Sequence, residues 1–394
     1  MELVSSAWHV ISSAIVFVMG AFIVSALRAP FNIKQNRAFL IYLWHTLFCV
    51  AYMIYSLEYG ADSVTYYLKS FQSGFEFKLG TAGVVFLTSF LTLFIDLSYL
   101  GVFLIFNIFG VIGLLAFDAS LKVATLNKSK YIKYMATLFV FLPSASFWTS
   151  AIGKDSLAFM AVGLFLWAAL NLRRGWGIMV VAVLIMLLVR PHMAGIMVLA
   201  LSGALVLQRN LALSHRLLMG GVAAITTFAL IPFALNYAGL GIMAEMDINT
   251  VSTYIQNRQG FNQEGGGGID ISLMSFPMQL FTYLFRPLPF EAHSIFALVS
   301  SIDNVFLLLV FLSAIRGMLL HKRHNVVESR TYMWLYVSMS WVVLGLTTAN
   351  LGISVRQKWM FVPLLAFLLI SHMGRYKRLK VIDHPSTQSS VSKL

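Results

Sequence analysis

The chain has 394 residues, of which 59% are hydrophobic and 11% are charged, and its mean hydropathy is +0.81. A soluble globular domain carries about 25% charged residues, so this composition excludes a soluble enzyme, a nucleic-acid-binding module and a disordered chain. It predicts an all-α fold, a polytopic integral membrane helical bundle. The single cysteine, Cys49, lies in an apolar stretch and excludes an intramolecular disulfide.

Apolar runs recur along the chain, and about 20 such residues cross the hydrocarbon core of a bilayer. The first run is too long and too apolar for the core of a cleavable signal peptide. We expect about 11–12 membrane segments, some of them re-entrant or broken: 8–27, 38–57, 80–96, 99–117, 134–152, 155–172, 175–189, 193–208, 217–238, 294–315, 331–350 and 357–373. They form a single transmembrane domain over residues 1–380 with one long outer loop at about 239–293, and the polar tail 381–394 is expected to be disordered in the cytoplasm.

The net charge of +13 lies largely in short loops, where lysine and arginine mark the cytoplasmic side. Counting back from the basic C-terminal tail places the C-terminus and the cluster at 122–133 on that side. Residues 28–37 are also basic, yet three apolar segments separate them from that cluster, and an odd number of crossings cannot return to the same side. Either one of the three segments is re-entrant or interfacial, with 80–96 as the main candidate, or the first loop breaks the rule.

A few cations lie at span ends on the opposite, outer side. An arginine at this depth needs a partner or hydration, although snorkelling or the capping of carbonyls is an alternative. Arginine pairs with phosphate through two parallel hydrogen bonds, and lysine adds a point charge. No metal-ligand spacing occurs, so we expect cations to bind a lipid diphosphate without a metal. The residues concerned are Lys154, Arg190, Arg286 and Arg356.

Group transfer to a hydroxyl needs a base, and several candidates remain open. His192 follows Arg190 by two residues and titrates in the useful range. Asp62, Glu291 and His293 compete with it, and Glu291 is alternatively a salt-bridge partner of Arg286 or His293. Asp155 is expected to be a helix cap, because an acid suits a helix N-terminus.

Aromatic side chains and a glycine run are also expected on the outer side. Tyr66 and Trp148 are expected to stack on sugar rings, with an interfacial aromatic belt as the alternative. The run Gly265–Gly268 is typical of a flexible hinge, which would let the long loop act as a lid.

Three stretches carry a family resemblance: residues 147–156 (FWTSAIGKDS), 190–192 (RPH) and 285–291 (FRPLPFE). They are similar to stretches of membrane proteins from polysaccharide clusters. In plan, the chain resembles the Wzy-type O-antigen and exopolysaccharide polymerases, which are related to O-antigen ligases. The interval from Arg258 to Gly268 matches an Arg-x10-Gly pattern of some members. The resemblance therefore adds Arg258 to the expected glycan-binding residues, among which we also count His293.

The resemblance implies a glycosyltransferase of the bacterial inner membrane that needs no cofactor. Its donor would be an undecaprenyl-diphosphate-linked oligosaccharide, and its acceptor a sugar hydroxyl of a second lipid-linked unit on the outer face. Membrane lipid and a chain-length regulator protein are further implied partners, and nucleic acid is not.

Two other functions remain open from the sequence. A flippase or transporter would line a path with charges buried midway through its spans, whereas most charges here lie at span ends and Asp303 is an exception. An O-antigen ligase would share the topology and use a different acceptor.

Overall fold

The computed structural model describes residues 6–72, 77–207, 267–271, 273–320 and 330–374, with isolated positions between 213 and 260. The regular elements of this part of the chain are helices. They are α1 (Ala7–Leu27), α2 (Gln35–Tyr59), α3 (Asp62–Ser70), α4 (Thr81–Leu93), α5 (Tyr99–Ala124), α6 (Lys130–Val140), α7 (Pro143–Thr149), α8 (Lys154–Ala169), α9 (Leu172–Val189), α10 (Pro191–Leu207), α11 (Phe276–Phe285), α12 (Ile295–Leu320), α13 (Arg330–Thr347), α14 (Leu351–Gln357) and α15 (Val362–His372). Short 3-10 turns occupy Pro289–Glu291 and Lys358–Met360.

Length and apolarity separate these helices into two groups. Helices α1, α2, α5 and α12 are long and apolar enough to cross a membrane, and the pair Leu351–Met360 and Val362–His372, bent by 68°, makes a fifth candidate. Helices α4, α9 and α10 are apolar but shorter. The predicted all-helical fold is thus confirmed for the described residues, while the expected count of 11–12 membrane segments stays a prediction. Segment 217–238 and the tail 381–394 lie outside the described residues, apart from isolated positions in the former.

Two expected elements differ from the structure. The segment 134–152 is divided into α6 and α7 at Pro143, which has no N–H to continue the helix. The carboxylate of Asp303 accepts the Ser144 N–H at 2.8 Å and so caps the start of α7. Within the expected outer loop 239–293, residues Phe276–Phe285 form α11, which buries Leu284 and Phe285; the outer position of this region stays a prediction.

Helix α5 is the centre of the bundle and is buried along most of its length. It packs against α8 where Gly113 meets Gly163, and a Cβ on either glycine would collide with backbone atoms of the other helix. In a bilayer, close packing of this kind associates helices in place of the hydrophobic effect. The two glycines therefore set how near α5 and α8 approach.

Antiparallel α2 and α5 define the two ends of the bundle. At one end, which we name the basic end, Arg37 Nη2 of α2 lies 2.6 Å from Asp118 Oδ1 of α5. At the opposite end, the Tyr99 hydroxyl at the start of α5 lies 2.9 Å from the Ser56 hydroxyl near the end of α2. Both predicted basic clusters, 28–37 and 122–133, thus lie at the same end.

Helix α4 explains the odd number of segments between those clusters. Just before its start, the Gly80 N–H donates to the Leu188 carbonyl at 2.7 Å, close to the end of α9. Just after its end, the Ile95 carbonyl accepts the Trp8 indole N–H at 3.0 Å, close to the start of α1. Both contacts lie at the end of the bundle opposite the basic end. Helix α4 therefore begins and ends at one end, and only α2 and α5 run the full length between the two clusters.

Candidate functional site

A buried carboxylate holds two arginines at the end opposite the basic end. Asp155 Oδ1 lies 2.5 Å from Arg190 Nη2, and Asp155 Oδ2 lies 2.5 Å from Arg356 Nε. Arg356 Nη2 also lies 2.9 Å from Asp62 Oδ2. We call Asp62, Asp155, Arg190 and Arg356 the ion-pair network; it joins the starts of α3 and α8 to the ends of α9 and α14.

Local sequence explains how each arginine reaches Asp155. Arg190 follows α9, and Pro191 begins α10 directly, so the chain bends at the arginine. The Arg190 carbonyl accepts the N–H groups of Met193 and Ala194, which have no earlier partner inside α10. Arg356 lies in the last turn of α14, whose first turn is capped by the Asn350 side chain.

Burial differs sharply between the two acids. The Asp155 side chain is 10% exposed and that of Asp62 is 55% exposed. Asp155 lies in the first turn of α8, where the helix dipole favours a negative charge. Breaking a buried ion pair is costly, whereas an exposed pair is worth little. Asp155 is therefore the fixed anchor of both arginines, and Asp62 is the exchangeable partner of Arg356.

Two of the expected aromatic residues lie beside the network. The Arg356 guanidinium carbon is 6.0 Å from the ring centroid of Trp148, a cation–π distance. Tyr66 is buried and within electrostatic reach of all four charges. Burial, followed by the nearby charge of Asp62, raises the pKa of Tyr66 to about 12, so its hydroxyl stays protonated as a donor at neutral pH.

Some buried donors around the network have no hydrogen-bond partner within the described part of the chain. They are the Arg190 Nε–H, the Trp148 indole N–H and the Tyr283 hydroxyl. Tyr283 lies within electrostatic reach of Arg190 and Asp155. Buried donors are almost always satisfied in proteins, by protein, water or ligand. The site therefore offers donors to a ligand rich in acceptor oxygens, although its four formal charges sum to zero.

A second ion pair holds the segment after α11. Arg286 Nη2 lies 2.5 Å from Glu291 Oε1, and Arg286 Nε lies 2.8 Å from the same oxygen. Glu291 Oε2 also accepts the Leu288 N–H at 2.8 Å. Burial alone would raise the pKa of Glu291, but the bonds from Arg286 and Leu288 outweigh it and hold that pKa below its usual value. The contacts of Glu291 thus agree with the alternative in which it is the salt-bridge partner of Arg286.

A buried lysine connects the two ion-pair groups. Lys358 follows Arg356 by two residues, is 2% exposed and hydrogen-bonds the side-chain oxygen of Asn304. The amide nitrogen of Asn304 donates to the Pro287 carbonyl at 3.0 Å. A chain of contacts therefore runs from the Arg286 segment through α12 to the segment that carries Arg356.

The end of the glycine run is also attached near Arg356. Gly268 forms an antiparallel bridge with Asn350, and the Leu351 N–H donates to the Gly267 carbonyl at 2.8 Å. The long loop thus returns to the bundle at the first turn of α14.

Four other predicted residues are Lys154, His192, Arg258 and His293. The Lys154 ammonium donates to the Thr81 hydroxyl at 3.0 Å, at the start of α4. His192 is half-buried in the first turn of α10, and His293 is exposed between the Pro289–Glu291 turn and α12. Arg258 lies outside the described residues. The roles of all these residues stay predictions.

Sequence reasoning missed the two residues that organise the site, Asp155 and Lys358. Asp155 is considered above as a helix cap, and it is not assigned as a partner of the arginines. A signal was present, because two arginines expected on one face of an apolar bundle require carboxylates and Asp155 is one of few nearby. Lys358 gave no signal beyond its proximity to Arg356 in the sequence.

No protein-family model, curated protein or solved structure matches the chain. The family resemblance therefore rests on the three short stretches alone. Of the residues in these stretches, Asp155 and Arg190 pair in the ion-pair network, and Trp148 lies beside it against Arg356.

Proposed function

We propose that the chain is a polysaccharide repeat-unit polymerase of the bacterial inner membrane. It transfers glycan from an undecaprenyl-diphosphate donor to a sugar hydroxyl of a lipid-linked acceptor on the outer face. The observation that carries the proposal is a pair of arginines oriented by one buried carboxylate, beside buried donors that have no partner among the described residues. Fixed donors of this kind stabilise the charge that develops on a leaving diphosphate.

Binding of the donor exchanges one anion for another. Asp155 holds the Nε side of Arg356, and the exposed Asp62 holds only Nη2 at 2.9 Å. A diphosphate oxygen takes the place of Asp62 on Arg356, while Asp155 keeps both guanidinium groups in position. Asp155 is thus a positioning residue, and the exchange releases the Asp62 carboxylate next to the bound donor.

The reaction then uses the released carboxylate as the base. The acceptor hydroxyl oxygen forms a bond to the anomeric carbon of the donor as the bond from that carbon to the diphosphate oxygen breaks. The hydroxyl proton passes to Asp62, and undecaprenyl diphosphate leaves with the bonding electron pair. We favour Asp62 over Glu291 because both oxygens of Glu291 already accept N–H groups. Trp148 and Tyr66 supply an aromatic wall and a hydroxyl for the sugars.

The experiment is deletion of the gene and complementation with variants, followed by analysis of surface glycan length. Loss of long chains with retention of single repeat units supports a polymerase. Complete loss of surface glycan with units trapped on the cytoplasmic side would replace it with a flippase. Polymer that forms but is not passed to its final acceptor would replace it with a ligase.

Charge-conserving variants connect the result to the site. Arg190→Lys and Arg356→Lys keep the charge but lose the planar fork that binds two oxygens, so we expect glycan shortened to single units. Arg28→Gln is the matched control, because Arg28 is exposed at the basic end. Normal chain length in both lysine variants, at the wild-type protein level, contradicts the assignment of the diphosphate site.

A further inference from the structure

A partly open cavity of about 270 Å³ lies at the basic end, far from the ion-pair network. Its wall is formed by the first turn of α2, the last turns of α5 and the exposed side of α6. The charged residues of this wall are Arg37, Asp118, Lys122 and Lys133.

The charges of this cavity do not balance. Asp118 is 1% exposed and accepts Arg37 at 2.6 Å and Lys122 at 3.0 Å, so its carboxylate is shared between two cations. Lys133 is exposed, and its ammonium has no hydrogen-bond or ion-pair partner within the described part of the chain. Three cations and one carboxylate leave a net charge of about +2 on the wall, which favours an anionic ligand.

Asp118 has a second effect on the same cavity. It accepts three hydrogen bonds from Arg37, at 3.0, 3.1 and 2.6 Å, which fix the guanidinium plane. Arg37 Nη2 also donates to the Thr137 hydroxyl at 3.3 Å. One arginine is therefore held rigidly, while Lys122 and Lys133 supply ammonium groups, a combination that suits a phosphate group.

Apolar and aromatic side chains adjoin the cations. Leu126 lines the cavity and is 57% exposed. Tyr131 and Tyr134, 65% and 68% exposed, lie on α6 beside it. In membrane proteins, exposed tyrosines next to basic residues are typical of the depth of the lipid head groups. Basic pockets between helices on the cytoplasmic side of a membrane bind phospholipid head groups.

We propose that this cavity binds a phosphate-group anion, carried by an anionic phospholipid or free in solution. The inference is independent of the proposed polymerase activity, because no residue of the cavity belongs to the ion-pair network. In the lipid case the phosphate lies against Arg37, Lys122 and Lys133, and the acyl chains lie along Leu126.

The test measures binding of phosphatidylglycerol, phosphatidylcholine and inorganic phosphate to the purified full-length protein by native mass spectrometry. We expect phosphatidylglycerol to bind more tightly than phosphatidylcholine. Each of Lys122→Gln and Lys133→Gln should weaken it roughly fivefold, the value for one basic residue at an anionic surface. Lys133→Arg should restore the affinity, and Lys130→Gln, exposed on the same helix but outside the cavity wall, should change it less than about twofold.

The two sources of the phosphate group are separated by competition. Displacement of phosphatidylglycerol by millimolar phosphate, lost in Lys133→Gln, assigns the cavity to free phosphate. Binding of phosphatidylglycerol that phosphate does not displace assigns it to the lipid. Equal affinity for the two lipids with no phosphate binding, or equal losses in Lys130→Gln and Lys133→Gln, would overturn the proposal.

Discussion

Replacement of Asp155 by asparagine tests the buried centre of the ion-pair network. The change leaves Arg190, whose side chain is 6% exposed, without the carboxylate that lies 2.5 Å away. Removing one partner of a buried ion pair costs about 3–5 kcal/mol, because the other charge stays buried and uncompensated. Asp62→Asn is the matched control: this side chain is 55% exposed, so its loss should cost no more than about 1 kcal/mol.

The assay is thermal unfolding of the purified protein in detergent, followed by circular dichroism. At roughly 2 °C per kcal/mol for a long chain, Asp155→Asn should lower the midpoint by about 6–10 °C and Asp62→Asn by about 2 °C at most. Arg190→Met in the Asp155→Asn background should recover part of the loss, because it removes the uncompensated charge. Equal shifts for the two acid variants, or no recovery in the double variant, would refute the reasoning.

Two further predictions concern packing and pH. A Cβ at Gly110 would collide with the Thr149 carbonyl oxygen, so Gly110→Ala should destabilise the protein by about 1–3 kcal/mol. Gly177→Ala is the control, because no atom of the described residues lies within 4 Å of the added Cβ, and it should be neutral or stabilising. Thermal midpoints compare the two variants. The folded pKa of Glu291 is lowered, so the stability from its pair with Arg286 is fully present above the unfolded value of 4.5 and is lost as pH falls through the folded value. Thermal midpoints should therefore show a drop below pH 4.5 that Glu291→Gln removes, and an unchanged pH profile in that variant would contradict the pairing.

Sequence reasoning located the parts of the site that local chain geometry determines. Pro191 after an apolar helix indicated a break at Arg190, and that break turns the arginine toward its partner. The partners themselves could not be predicted, because Asp155 is separated from Arg190 by 35 residues and from Arg356 by 201. Only the packing of α8 against α9 and against the Lys358–Met360 turn that follows α14 brings these residues together.

At the basic end, the count of loop lysines does not distinguish those that mark the cytoplasmic side from those with a structural role. Lys128 was counted with the lysines that mark the cytoplasmic side, yet it is buried and donates to the carbonyls of Ile370, Ser371 and Met373 at 2.7–2.8 Å. Ile370 and Ser371 lie in the last turn of α15 and Met373 is its C-cap residue, where carbonyls lack the N–H partners that a continuing helix would supply. A loop lysine that orients a chain and one that caps a distant helix look the same in the sequence.

The path of the chain between residues 28 and 133 was likewise only partly determined by the sequence. By hydropathy alone, the sequence of α4 is as apolar as that of a helix that crosses a membrane. Its course depends on contacts with Leu188 and Trp8, which lie in other helices. The odd number of apolar segments indicated that one of them does not run the full length of the bundle, and the tertiary contacts show that this segment is α4.

The central claim is that Arg190 and Arg356 bind the diphosphate of a donor whose glycan is transferred to a second lipid-linked unit. The most direct measurement is the product length formed by the purified protein in lipid nanodiscs supplied only with undecaprenyl-diphosphate-linked oligosaccharide. The account predicts a ladder of longer products for the wild type and Arg28→Gln, and single units for Arg190→Lys and Arg356→Lys with near-wild-type thermal midpoints. The same ladder from the two lysine variants, or no elongation by the folded wild-type protein, would contradict it.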